Sequence, residues 1–162
     1  MASNDTLCMF NALANMPPAA NFATLDVRNT IPVLEFDKAA AAEYAVFIGV
    51  LPRHYAGGGI TVQLTWMGDT GLTSGDVVWQ TAFERMNADE DADAFVSAKT
   101  ATGTANGTSG IVTNTDIAHS NAEIGGLLVG EPFRLQIARL GSNGSDTMDG
   151  DAQLVAVELR ET

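Results

Sequence analysis

The chain has 162 residues, enough for one domain that buries its own core without disulfide or metal staples. Apolar residues make up 46% of it and charged residues only 17%, and the eight Lys and Arg are scattered among 20 acids for a net charge of −12. Phosphate binding needs clustered cations, so this balance excludes a nucleic-acid partner, and it disfavours attachment to an anionic membrane.

Cys8 is the only cysteine, so no internal disulfide forms, which fits synthesis in a reducing compartment. The first residues, Met-Ala-Ser-Asn-Asp, carry no basic n-region of a signal peptide. The apolar run Leu7-Cys8-Met9-Phe10 is too short to span a bilayer. The expected site of synthesis is a cytoplasm.

Residues 1–21 read as an N-terminal arm. Pro17-Pro18 breaks any helix there, and Met9, Phe10, Leu13 and Met16 suggest at most a helical turn before it. The pattern then changes to strands. Runs 22–28 and 31–36 flank Asn29-Thr30, and Pro32 marks an edge or a strand start because it cannot donate to a ladder. Ala-rich 37–42 suggests a helical turn, and 43–51 a strand apolar on both faces. Residues 60–66 alternate without error, Ile60, Val62, Leu64 and Trp66 on one face and Thr61, Gln63 and Thr65 on the other. Gly57-Gly58-Gly59 supplies the turn before that strand.

Further strands are expected over 76–86, with Val77, Trp79, Thr81 and Phe83 on one side, over 94–102, where a short helix is the alternative, and over 111–117, 131–140 and 153–160. Turn signals separate them, Asn106-Gly107 and Asp149-Gly150 among them. Residues 121–129 suggest a helical turn. About eight strands with no long helix and no fixed repeat predict an all-β, antiparallel β-sandwich spanning 22–162. A jelly roll is the first choice and an immunoglobulin-like sandwich the second.

The candidate chemistry is thin. Asp89, Asp91 and Asp93 lie in an acidic loop that offers oxygens to Ca²⁺, but it lacks the glycine and distal glutamate of an EF-hand. Residues 146–151 form a second acidic turn. Trp66 and Trp79 fall on core faces, which argues against sugar platforms and against glycoside hydrolysis by the plentiful carboxylates. His54 stands in a turn between Arg53 and Tyr55, and His119 follows a strand. Neither brings a recognisable catalytic partner, and Cys8 reads as a small apolar side chain. The glycine run leads into no helix, so no phosphate cradle forms, and no zinc-ligand spacing occurs. The expectation is no enzyme, no cofactor and no resident metal.

Gly49-Val50-Leu51-Pro52-Arg53-His54-Tyr55-Ala56-Gly57-Gly58-Gly59 and Val62-Gln63-Leu64-Thr65-Trp66 resemble segments of small virion proteins of tailed bacteriophages. Thr73-Ser74-Gly75-Asp76-Val77-Val78-Trp79, Gly130-Glu131-Pro132-Phe133-Arg134-Leu135 and Asp146-Thr147-Met148-Asp149-Gly150-Asp151-Ala152 continue the likeness. The resemblance implies a jelly-roll capsid decoration (cement) protein. It would be a homotrimer bound to the major capsid protein on the virion, with no catalytic residues to carry over. Met9, Phe10, Leu13, Arg53, His54 and Tyr55 are the expected contacts with other subunits or the capsid. The alternative is a carbohydrate- or receptor-binding module of a head or tail fibre.

Overall fold

A computed structural model describes residues 4–87 and 89–162. Ten strands form two antiparallel sheets packed face to face. They are β1 (Thr6–Asn11), β2 (Thr24–Arg28), β3 (Ile31–Phe36), β4 (Glu43–Val50), β5 (Ile60–Gly68), β6 (Asp76–Arg85), β7 (Val96–Thr104), β8 (Thr113–His119), β9 (Pro132–Arg139) and β10 (Ala152–Glu161). The larger sheet runs β2-β3-β10-β5-β8, with β1 also on β10, and the smaller runs β4-β9-β6-β7. This is the expected all-β, jelly-roll-like sandwich.

Alternation builds the core. Along β5 the apolar set points inward and the threonines and Gln63 outward, as the period of two requires. Trp66 from the larger sheet meets Trp79 from the smaller edge-to-face at 5.6 Å, and Phe36 meets Trp79 at 5.1 Å. Trp66 donates its indole N–H to Thr115 Oγ1 at 2.9 Å. Gly103 on β7 permits this packing, since a Cβ there would lie 2.1 Å from Thr115 Oγ1.

The N-terminal segment differs from the expected arm. Thr6–Asn11 is a strand paired with the second half of β10, while β3 takes the first half. Leu7 is buried in the core, and Phe10 stacks on Phe47 at 5.2 Å. The short apolar run supplies alternate core contacts, which the Pro-Pro break downstream concealed. No helix forms around Met9 and Phe10; a single 3₁₀ turn, Ala12–Ala14, follows the strand. The chain then crosses to the smaller sheet and covers its edge, where Met16 N–H donates to Val46 O and Tyr44 N–H to Asn21 O. Deleting residues 1–20 therefore removes a sheet strand and an edge cover, so the sandwich is not expected to fold unchanged without them.

Two other local expectations shift. Residues 37–42 form bends without a helix, and the turn expected over 121–129 is a short 3₁₀ turn, Ala122–Ile124. Strand direction sorts the loops into two ends. One end gathers 37–42, 69–75, 105–112 and 140–151; the other gathers 51–59, 86–95 and 120–131.

Candidate metal centre and loop-end pocket

Three carboxylates from two distant chain segments converge at the first end. Oxygens of Glu35, Asp37 and Asp151 lie within 4.8 Å of one another. Glu35 and Asp37 straddle the buried Phe36, so the alternation that buries that ring turns both acids the same way. Asp151 arrives at the start of β10, which pairs with β3. Glu43 approaches from the smaller sheet and accepts the Asp37 N–H at 2.7 Å.

A buried arginine sets this geometry. Arg139, fully buried, donates to Asp146 through Nε (3.1 Å) and Nη2 (2.8 Å). Its remaining N–H groups reach Phe36 O (3.1 Å), Gly150 O (2.8 Å) and Met148 O (2.7 Å), so all five donors of the guanidinium are used. Phe36 and Gly150 immediately precede Asp37 and Asp151, so one side chain pins both flanks of the site. Lys38 adds a second tie, its N–H donating to Asp151 Oδ1 at 2.9 Å and its ammonium lying 3.2 Å from Asp146 Oδ1. Burial alone would raise the Asp146 pKa; the hydrogen bonds from Arg139 and the Val78 N–H, together with the charges of Arg139 and Lys38, outweigh it and hold the carboxyl below its ordinary value.

Glu35 and the neighbouring Glu43 behave in the opposite way. Burial, then the neighbouring charges of Asp69, Asp151 and Asp26, push the Glu35 pKa up against its hydrogen bond from Gln153. Glu43 is likewise raised by burial and by Asp37 and Asp151. Crowded carboxylates form a hard-oxygen donor set suited to a divalent cation, and Ca²⁺ tolerates such irregular geometry better than Mg²⁺. Three carboxylates supply part of its usual six to eight oxygens, roughly, with carbonyls and water completing the shell.

Of the acids singled out in sequence, Asp151 of the second acidic turn joins this cluster, whereas Asp89, Asp91 and Asp93 lie at the other end and do not converge. Asp89 accepts the Asp91 N–H on Oδ1 at 3.1 Å and, through its carbonyl, the N–H groups of Ala92 and Asp93; Asp93 accepts the Asn87 N–H at 3.4 Å. They close their own loop, and among the described residues only Glu35, Asp37 and Asp151 form a metal-sized cluster. Beside that loop lies a polar pocket of about 280 Å³, lined by Arg85, Asn87, Asp93, Val96 and Gly125 among others. Arg85 forms a two-pronged pair with Glu131, Nε to Oε2 at 2.7 Å. Nearby, Arg134 pairs with the buried Glu84 and lies over the Phe95 ring at 5.1 Å.

The remaining expected contact residues divide. Met9 and Leu13 are 71% and 67% exposed, and Arg53 and His54 are exposed at a loop tip. Tyr55 is only 3% exposed, its hydroxyl donating to Gly58 O and accepting from Asn121 Nδ2, so it pins the turn and offers no contact surface. Phe10 is likewise committed to the core edge. His119 is buried between the sheets, its Nε2 at 2.8 Å from Thr81 Oγ1 and its Nδ1 without a partner. Burial, with a smaller contribution from Lys99, lowers its pKa to about 4.

No protein family matches the sequence, and no curated protein does. Solved structures do resemble the fold. A family 35 carbohydrate binding module from an environmental isolate superposes with a TM-score of 0.56 at 13% identity, over 94% of this chain and 92% of that one. The CBM22-1 xylan-binding domain of Paenibacillus barcinonensis Xyn10C gives 0.52 at 11% identity, over 99% and 97%. An exo-beta-1,3-galactanase of Phanerochaete chrysosporium gives 0.56 at 9% identity, and this chain spans 29% of its length. The likeness is one of fold. It places the chain among jelly-roll sandwiches and says nothing by itself of ligand.

Proposed function

We propose that this chain is a non-catalytic binding module whose ligand is a carbohydrate, held at the loop-end pocket. One observation carries the reading: the whole chain, rather than a part, takes the fold of carbohydrate-binding modules. The pocket adds chemistry that suits a polyol, since Arg85, Asn87 and Asp93 bring donors and acceptors to a concavity that Val96 and Gly125 also line. The carboxylates of the opposite end serve as a structural cation site that locks β3 to β10. Affinity electrophoresis through a panel of soluble xylans, galactans and glucans tests the proposal. At least one polysaccharide should retard the protein, and Asn87→Ala with Asp93→Ala should restore free mobility. Unretarded migration through the whole panel would reject it.

A second reading follows the virion resemblance: a decoration protein trimerising on a capsid. Its support is the exposed apolar surface of the N-terminal region, Met9, Leu13, Met16 and Phe22, the last 47% exposed. Light scattering at micromolar concentration should then give a trimer mass, and the protein should co-sediment with capsid shells. A monomer that leaves shells bare excludes this reading.

A further inference from the structure

We propose that the free edge of β2 is a strand-addition site for an extended segment of another polypeptide that alternates apolar and basic residues. The hairpin sets the backbone. Asn29 and Thr30, at φ 47° and 67°, form a two-residue turn with both residues left-handed, so Arg28 and Ile31 close it as a hydrogen-bonded pair. Alternation in an antiparallel ladder then turns the N–H and C=O of Arg28, Asp26 and Thr24 toward β3, and those of Val27 and Leu25 away from it. At Ala23, the next residue in that outward series, Tyr44 O accepts the N–H. Beyond Ala23 no strand of the described residues covers the edge.

The side chains fit the same use. Leu25 and Val27 share a face of the hairpin with Leu34, yet Leu34 is 1% exposed and they are 54% and 63% exposed. The smaller sheet ends before it reaches them. Beside Leu25 lies a groove of about 280 Å³ walled by Leu13, Pro17, Phe22 and Leu34, with no charged residue in its lining. An added strand would place one apolar side chain there, which is how strand addition gains specificity over plain main-chain pairing.

Charge decides the occupant. Asp26, on the opposite face, is exposed and forms no ion pair among the described residues. A second copy paired so that Leu25 faces Val27 would set Asp26 against Asp26, between two chains of net charge −12. A basic residue opposite Asp26 turns that repulsion into attraction.

Amide hydrogen exchange on the full chain tests this, with a short capped peptide alternating valine and lysine and a control alternating valine and glutamate. The lysine peptide should slow exchange at Leu25 and Val27 and bind about three- to tenfold more tightly than the control, the scale of exchanging one cross-strand charge repulsion for an attraction. Asp26→Lys, at an exposed position, should keep the fold and invert the preference. Protection elsewhere only, equal binding of both peptides, a preference unmoved in Asp26→Lys, or protection that rises with protein concentration alone would each overturn the proposal.

Discussion

The two ends of this sandwich carry similar chemistry and use it differently. At the loop end, Asp89, Asp91 and Asp93 are neighbours in sequence, and the Asp89 and Asp93 carboxylates face the loop's own backbone. At the other end Glu35 and Asp37, at alternate positions of one strand end, meet Asp151 from far along the chain, and their oxygens converge. Contiguous acids share a short flexible segment that can turn each one to solvent or to a nearby N–H. Acids brought together by strand pairing cannot separate without breaking the sheet. Convergence forced by tertiary structure, rather than local density, gathers a donor set of the size a cation needs.

The sharpest way to break that contrast is at its buried support. Arg139→Met leaves Asp146 buried without its main partner and frees the Phe36 and Gly150 carbonyls, which should cost about 3–5 kcal/mol in chemical denaturation. Arg85→Met at the loop end, where the pair is open to water, should cost far less. Equal losses would mean that the corner is no more rigid than the loop end.

Acid should separate the ends next. His119 is folded around as neutral imidazole, with its pKa lowered to about 4 from an ordinary value near 6.5. The unfolded chain then binds the extra proton first, so stability falls as pH drops from 6.5 toward 4, by roughly 3 kcal/mol in total. Asp146 runs later: its lowered pKa makes the ion pair stabilising at neutral pH, and that contribution disappears only as pH falls below the ordinary carboxylate range. Denaturation against pH should thus show loss above pH 4 that His119→Gln removes, and a further loss below it that this variant keeps.

Calcium tests the corner directly. At a hundredfold excess over Kd it should stabilise the protein by about 3 kcal/mol, read as a rise in Tm that EDTA reverses. Asp37→Asn with Asp151→Asn should abolish the rise, and Asp89→Asn with Asp91→Asn should leave it intact. Because the Glu35 pKa is raised, protons compete for this site at higher pH than at ordinary carboxylates, so the calcium effect should begin to fade while the pH is still above the usual carboxylate range. The smallest effect belongs to the loop acids: Asp91→Ala should change stability by no more than about 0.5 kcal/mol.

Much of the sandwich was legible before any coordinates. The alternation of Ile60, Val62, Leu64 and Trp66 states which face is buried, and that face is buried. The Asn29-Thr30 turn and its flanking strands were equally plain. The first strand was missed because Leu7 and Phe10 sit in a run too short to show a period, and only β10 gives it a partner. Tyr55 was misjudged because a loop position predicts exposure, while Gly58 and Asn121 supply the polar contacts that let its ring be buried. Glu35, Asp37 and Asp151 left a weak trace, two acids at alternate positions and a third in an acidic turn, but no spacing rule joins residues so far apart.

The sequence by itself determined the class of the fold and the inward set of each strong strand, because side-chain period and turn chemistry are local. It also determined the excess of acid, and with it the exclusion of nucleic acid. Only the tertiary structure decided which acids meet, which arginine is buried beneath them, and which strand edge is left open. Those outcomes depend on strand order and register, which bring distant residues within hydrogen-bonding distance and which no local pattern encodes.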